Sequence, residues 1–332
     1  MPETVLVTGG SGFVAMWCIS ALLKRRYAVR ATLRSLDKAA SIRSAIEASG
    51  VPASALTFVA ADLTRDDGWD PAVSGCDYVL HVASPLGGGE AGDLVAPARD
   101  GTLRVLRAAV KAQVKRVVMT SAAAAARPSL DSGRISDETI WADPKDPQFD
   151  GYRASKILAE RAAWDFMADS GGATEFTTIL PGAVFGPVLT PDNQGSVDII
   201  RRLLNGNPSA LPKLGFWVVD VRDLADLHVQ AMTSPQAAGE RFLAAGDFMW
   251  MKDIAVTLRN ALGTRAAKVP TRELPNFVVR LLLPFLPKLK GLAPLLGHRF
   301  PLTSEKARHT LGFAPRPGVT TVVDCAESLD AE

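Results

Sequence analysis

Residues Val5 to Ala15 read Val-Leu-Val-Thr-Gly-Gly-Ser-Gly-Phe-Val-Ala, and this stretch constrains the fold more than any other. A short apolar run without charge predicts a buried strand, the glycines a tight turn, and the periodic apolar residues through Leu23 a helix. Gly9 permits the turn, and Gly12 lets the backbone come close to a phosphate group. Ala15, at the third position, is small enough for the helix to pack on the sheet. The free N–H groups and positive dipole end of that helix then face an anion. Strand, glycine turn and helix in this order predict a dinucleotide site; the bland reading is a glycine turn in another α/β protein.

The alternation continues. Strands are expected at Ala28 to Leu33, Ala55 to Ala60, Tyr78 to Val82, Val117 to Thr120 and Phe176 to Leu180, with helices between them, including Ser41 to Ser49, Leu94 to Ala112 and Tyr152 to Met167. This pattern predicts an α/β chain built on a doubly wound parallel (Rossmann) sheet. Beyond about residue 183, Pro and Gly become frequent, which points to a smaller mixed α/β substrate domain. We therefore expect a nucleotide-binding part over residues 1–182, with a segment near 216–236 returning to it, and an interleaved part over 183–332. Val218 to Val221 reads as the returning strand, and Asp223 as the cap of the helix Leu224 to Met232.

Composition narrows the partners. A formal net charge of +2 over 332 residues gives no reason to expect nucleic acid or an anionic membrane surface. Cys18, Cys76 and Cys325 are odd in number and far apart, as in a reduced, cytoplasmic protein. The four histidines are scattered, so no metal site is expected. Leu274 to Gly297 is the most hydrophobic tract, but Arg280, Lys288, Lys290 and four prolines interrupt it. Short helices lining an apolar pocket fit it better than a membrane span.

The second strand ends at Arg34, with Lys38 one turn on, where a dinucleotide fold recognises the ribose. A guanidinium binds a 2′-phosphate through paired hydrogen bonds that a carboxylate would repel, so NADP(H) is favoured over NAD. Tyr152 and Lys156 stand four apart on one helix face. At about 5 Å and an effective dielectric near 20, the ammonium favours a phenolate by roughly 3 kcal/mol, or about two pKa units. On that arithmetic Tyr152 becomes a general acid near neutral pH.

These motifs together resemble the extended short-chain dehydrogenase/reductases, in particular the dihydroflavonol-4-reductase-like carbonyl reductase branch. The likeness is carried by Thr8 to Ala15, Arg30 to Arg34, Asp62-Leu63, His81 to Pro85, Tyr152-x-x-x-Lys156, Val184 to Pro187 and Asp220 to Asp223. It implies hydride transfer from NADPH to a carbonyl carbon, with Tyr152 donating the proton and Lys156 holding the ribose hydroxyls. It also implies a cofactor site lined by Thr8, Gly9, Gly12, Phe13, Val14, Arg34, Lys38, Asp62, Leu63, Val82, Ala83, Ser84, Thr120, Tyr152, Lys156, Pro181, Gly182, Ala183 and Val184.

One departure stands out. The family usually carries two serines after the threonine, the second catalytic, whereas this chain reads Thr120-Ser121-Ala122. Ser121 is the remaining hydroxyl and is expected to serve only if the chain leaves strand geometry there, because successive strand side chains point to opposite faces. Expected substrate contacts are Leu86, Ala122, Ala123, Phe149, Phe185, Phe216 and Trp217, a set that suits an apolar, small-molecule aldehyde or ketone; for each aromatic the alternative is core packing. The segment before Tyr152 lacks the tryptophan- and cysteine-containing motif of cinnamoyl-CoA reductases. Two alternatives share the motifs: a sugar-nucleotide epimerase or dehydratase that retains NAD, and a non-catalytic NADP(H) redox sensor. A monomer or a homodimer is expected.

Overall fold

The computed structural model describes residues 2–85, 94–170, 172–190, 195–282 and 293–330. Leu86 and the glycines at 87–89 lie outside them, as does the stretch 283–292 of the hydrophobic tract. The chain runs β1 (Thr4–Val7), α1 (Phe13–Lys24), β2 (Ala28–Leu33), α2 (Ala39–Ala48), β3 (Leu56–Ala60), α3 (Trp69–Val73), β4 (Tyr78–His81), α4 (Val95–Lys111), β5 (Arg116–Thr120), α5 (Gly151–Asp169) and β6 (Glu175–Pro181). It continues through β7 (Ala183–Phe185), α6 (Val197–Leu204), β8 (Gly215–Asp220), α7 (Val221–Thr233), β9 (Arg241–Ala244), β10 (Phe248–Trp250), α8 (Met251–Leu262), α9 (Asn276–Leu282), α10 (Glu305–Leu311) and α11 (Gly318–Asp330).

Seven parallel strands form the main sheet in the order β3-β2-β1-β4-β5-β6-β9. Apart from Arg30, Arg116, Glu175 and Arg241 their residues are uncharged and mostly apolar or β-branched, which suits strands buried on both faces. Helices α3, α4 and α5 neighbour one another over one face, and α2, α1, α7 and α10 over the other. The strand order reverses between β1 and β4, and a crevice opens at such a switch point. A second sheet, β10-β8-β7, packs with α6, α8 and α11 around its own core of Phe185, Ile200, Leu258 and Val322.

Three details differ from the sequence reading. The strand read at Val218 to Val221 is β8, which pairs with β7 and β10 and not with the main sheet, while α7 after it packs on α1 of the nucleotide-binding part. The strand that closes the main sheet beyond β6 is β9, which the sequence reading did not single out. The cap of α7 is Asp220, which accepts from the Arg222 amide at 2.9 Å, while Asp223 accepts from the Arg316 amide at 2.6 Å. In the hydrophobic tract, α9 buries Val279 but leaves Phe277 and Leu281 each 72% exposed. No helix among the described residues is long and apolar enough to cross a membrane.

Candidate active site

Thr8 ties the two strands of the switch point together. Its Oγ1 accepts from the amides of Val82 at 3.0 Å and Ala83 at 2.9 Å, so its own proton goes to His81 Nδ1, 2.9 Å away. That leaves His81 Nε2 to donate to Thr102 Oγ1 at 3.2 Å. Burial, helped by the Lys156 charge, pulls the His81 pKa down to about 3, so the ring is neutral. Gly9 has φ +71°, and a Cβ there would press on Ala83 at 3.0 Å. The turn closes through Gly12 N to Gly9 O at 2.8 Å, and α1 then starts with no side-chain cap and no acidic residue in its first turn. Phe13 and Val14 are half-buried at that start. Uncapped N–H groups on a half-open turn without negative charge fit a phosphate.

Arg34 and Lys38 are exposed past the end of β2, and the Arg34 charge helps hold the Asp62 carboxyl below its usual range, behind the larger effect of the Thr64 amide. Leu63 packs on Gly101, where a Cβ would lie 2.8 Å from its own. Ser84 is half-buried beyond Ala83. Pro181 is buried, and Gly182, Ala183 and Val184 are half-buried along the entry to β7.

Asp150 caps α5, accepting from the Arg153 amide at 2.8 Å, which sets Tyr152 and Lys156 in the first two turns. Lys156 is buried and its Nζ donates to the Thr120 carbonyl at 3.3 Å, at the end of β5. Burial pulls its pKa down to about 8, with the Glu160 carboxylate acting the other way. Tyr152 departs from the sequence expectation. Its ring is 37% exposed, yet the surroundings of the hydroxyl are dense enough that burial raises its pKa, against the Arg153 charge. Four-residue spacing put the two side chains on one face, but the ammonium turns down to the sheet.

Ser121 is also corrected. Its Oγ donates to Glu160 Oε2 at 2.6 Å, and it is only 2% exposed. The chain stays extended at Ala122 (φ −152°, ψ 149°), so alternation turns Ser121 away from the side that half-buried Ala122 presents. Thr120 is likewise turned inward. The Leu224 carbonyl can only accept, so His228 Nδ1 carries the proton, and Nε2 accepts from the Thr120 hydroxyl at 2.7 Å.

Of the expected substrate contacts, Phe185 is fully buried in the second core and is a packing residue. Ala123 is buried in a small cluster with Ile157 and Leu180, against which half-buried Phe149 packs. Phe216 and Trp217 are half-buried on β8. A Cβ on Gly182 would lie 2.2 Å from the Trp217 carbonyl oxygen, so β8 runs directly against the stretch after β6.

The sequence profile described as the NAD dependent epimerase/dehydratase family matches residues 5–245. The chain belongs to this family. Within this family, it is 33% identical over 267 residues to a dihydroflavonol 4-reductase of Dianthus caryophyllus, covering 77% of this chain and 73% of that one. It is 34% identical over 305 residues to the ketoreductase azaE of Aspergillus niger, covering 83% and 87% respectively. Among solved structures, the yeast methylglyoxal/isovaleraldehyde reductase Gre2 complexed with NADPH superposes with a TM-score of 0.81 at 26% identity, over 98% of both chains.

Sequence reasoning missed the buried support of this family's helix α5. Glu160, fully buried, accepts from Ser121, from Thr178 Oγ1 at 2.8 Å and from Arg241 Nε at 2.9 Å. Arg241 donates further to the carbonyls of Glu138, Ile140 and Ala125 and stacks 3.8 Å from the Trp141 ring centroid. The one available signal was a glutamate four residues after Lys156, on the same helix face.

Proposed function

We propose that this chain binds NADP(H) and reduces an apolar aldehyde or ketone to the alcohol, with Tyr152 as general acid. The observation that carries this reading is the bond from Lys156 to the Thr120 carbonyl, which seats the start of α5 at the carboxyl end of β5, beside the switch point. The uncapped start of α1 and the exposed Arg34 are the residues that would hold the pyrophosphate and the 2′-phosphate. When bound, NADPH supplies the hydride. Tyr152 gives its proton to the carbonyl oxygen as charge develops there. Lys156, largely protonated at neutral pH, keeps a positive charge close by. Ala122 contributes no donor, so this reading leaves Tyr152 as the side chain that polarises the carbonyl. Phe149, Phe216 and Trp217 supply apolar surface for the rest of the substrate.

The reading is supported by the ketoreductase likeness and by the NADPH-bound reductase of the same architecture. The test is loss of NADPH absorbance with a panel of aldehydes, α-diketones and aryl ketones. We expect consumption with several of them, slower by about tenfold or more with NADH, since Arg34 recognises a group NADH lacks. Tyr152→Phe is expected to lose about 10²-fold or more in kcat. Turnover of UDP- or GDP-sugars with retained NAD, and none of simple carbonyls, would overturn it.

A further inference from the structure

Among the described residues two arginines keep a buried side-chain nitrogen without a partner, Arg161 at Nε and Arg127 at Nη1, and Arg161 still donates through Nη2 to the Ala142 carbonyl at 2.8 Å. Arg116 donates to Glu175 at 2.8 Å and to the carbonyls of Ala231 and Ser234. Arg241 has Glu160 and three carbonyls. Arg222 bridges Asp220 and Asp324. Arg127, at the end of the turn that follows Ala122, is different. Its Nη1 is buried without a hydrogen-bond partner among the described residues, and its guanidinium carbon sits 4.6 Å from the Phe300 ring centroid. Its charged neighbours compensate it only in part, through Asp150. Arg153 is a like charge, and the Asp150 carboxylate is already engaged by Arg153 through both oxygens, at 2.8 and 2.6 Å. Burial and the Arg153 charge pull Arg127 down to about 10, the direction of a cation short of a counter-charge. The unpartnered Gln148 Oε1, on the segment tied to Pro128, makes no hydrogen bond to it either.

Its position gives that orphan a use. On one side lie Asp150 and Arg153, the two charges that flank and act on Tyr152. On the other lies Phe300, whose carbonyl accepts from the Trp217 indole at 2.7 Å, and Trp217 abuts Gly182. Arg127 therefore stands in an arc running from the Tyr152 helix to the aromatic residues of β8. A half-buried guanidinium with its Nη1 unmet is matched by a carboxylate, which it can bind through charge-assisted N–H···O bonds. Leaving such a donor unmet costs more than an ordinary hydrogen bond gains, so its occupant belongs to the working state.

We propose that Arg127 anchors a carboxylate borne by the carbonyl substrate, whose apolar body lies along Phe300 and Trp217. This deepens the reductase reading and rests on it. The test compares 4-carboxybenzaldehyde with its methyl ester, using the full chain and NADPH. Wild type is expected to favour the acid in kcat/KM by about tenfold or more, the worth of one charge-assisted hydrogen bond. Arg127→Gln is expected to bring the acid-to-ester ratio to about one, through KM. Arg127→Lys, which keeps the charge but not the paired geometry, should retain part of the preference. Arg127→Met, whose stem still lies on Phe300, replaces the glutamine variant should that one not fold. A second readout needs no turnover: calorimetric titration of 4-methylbenzoate and its methyl ester, which carry no oxidisable alcohol, into the protein with NADP+. An Arg127-dependent preference for the acid in binding, with no carbonyl reduced by wild type, keeps the anchor and removes the reductase reading. Equal handling of acid and ester by wild type, or a preference that survives Arg127→Gln, overturns the anchor and leaves the reductase reading standing.

Discussion

At the scale of single residues, the hydroxyl chemistry around β5 yields opposite expectations for two adjacent positions. Ser121 donates to a buried carboxylate, so Ser121→Ala should cost about 1–3 kcal/mol of stability, read by urea denaturation. It should leave kcat nearly unchanged, because its hydroxyl is buried and engaged by Glu160. Ala122→Ser places a hydroxyl on the opposite side of the chain, where extended backbone accepts serine without strain. It should raise kcat for carbonyl reduction by about tenfold or more, since one oxyanion donor is worth on the order of 10²-fold or more. A flat response to Ala122→Ser would place the reacting oxygen elsewhere. Tyr152 and Lys156 were legible because helical spacing alone puts them on one face. The sign of the tyrosine shift was not, because it depends on packing density and on a lysine that bends toward the sheet.

At the scale of elements, the junction between β6 and β7 carries the least tolerance. A methyl group on Gly182 would sit 2.2 Å from the Trp217 carbonyl oxygen, and backbone cannot swing aside as a side chain can. Gly182→Ala should therefore destabilise the protein by about 1–3 kcal/mol or more, with a shift in tryptophan fluorescence as β8 is displaced. Gly50→Ala is the control. That glycine has φ +81° but nothing within 4 Å of an added Cβ, so only the left-handed backbone resists, by about 1 kcal/mol. The order of alternating strands and helices was readable from periodicity as far as β6. It failed at β8 and β9 because an apolar run such as Phe216 to Val219 or Phe242 to Ala244 fits either sheet. Pairing partners, chosen by residues far away in sequence, assign one to each.

At the scale of the whole molecule, two buried neutral histidines link the sheet to its switch point and make the fold sensitive to acid. His81 and His228 have folded pKa values pulled from 6.5 to about 3 and about 4 by burial. Both bind protons more readily when unfolded. Their contribution is thus present above about pH 6.5 and is lost as pH falls through 4 toward 3. By pH 4.5 the loss should reach about 2 kcal/mol for each histidine, measured by urea denaturation at pH 7 and 4.5. The carboxylates held low by their partners, such as Asp62, Asp77 and Asp220, contribute stability above their ordinary value near 3.8 and lose it only as pH falls below that, so their window lies beneath most of the histidine one. His228→Gln should remove about half of the loss in the upper window and leave the lower one in place. The amino-acid order alone determined the parallel sheet, the glycine turn before α1, the Tyr152–Lys156 face and the basic residue past β2, because each follows from spacing within one element. Only the tertiary structure decided that Ser121 serves Glu160, that Phe185 is core, that Lys156 rests on Thr120 and that Arg127 is left unmatched. Each of those outcomes is set by a partner many residues away, and no local pattern encodes which face of a strand that partner will occupy.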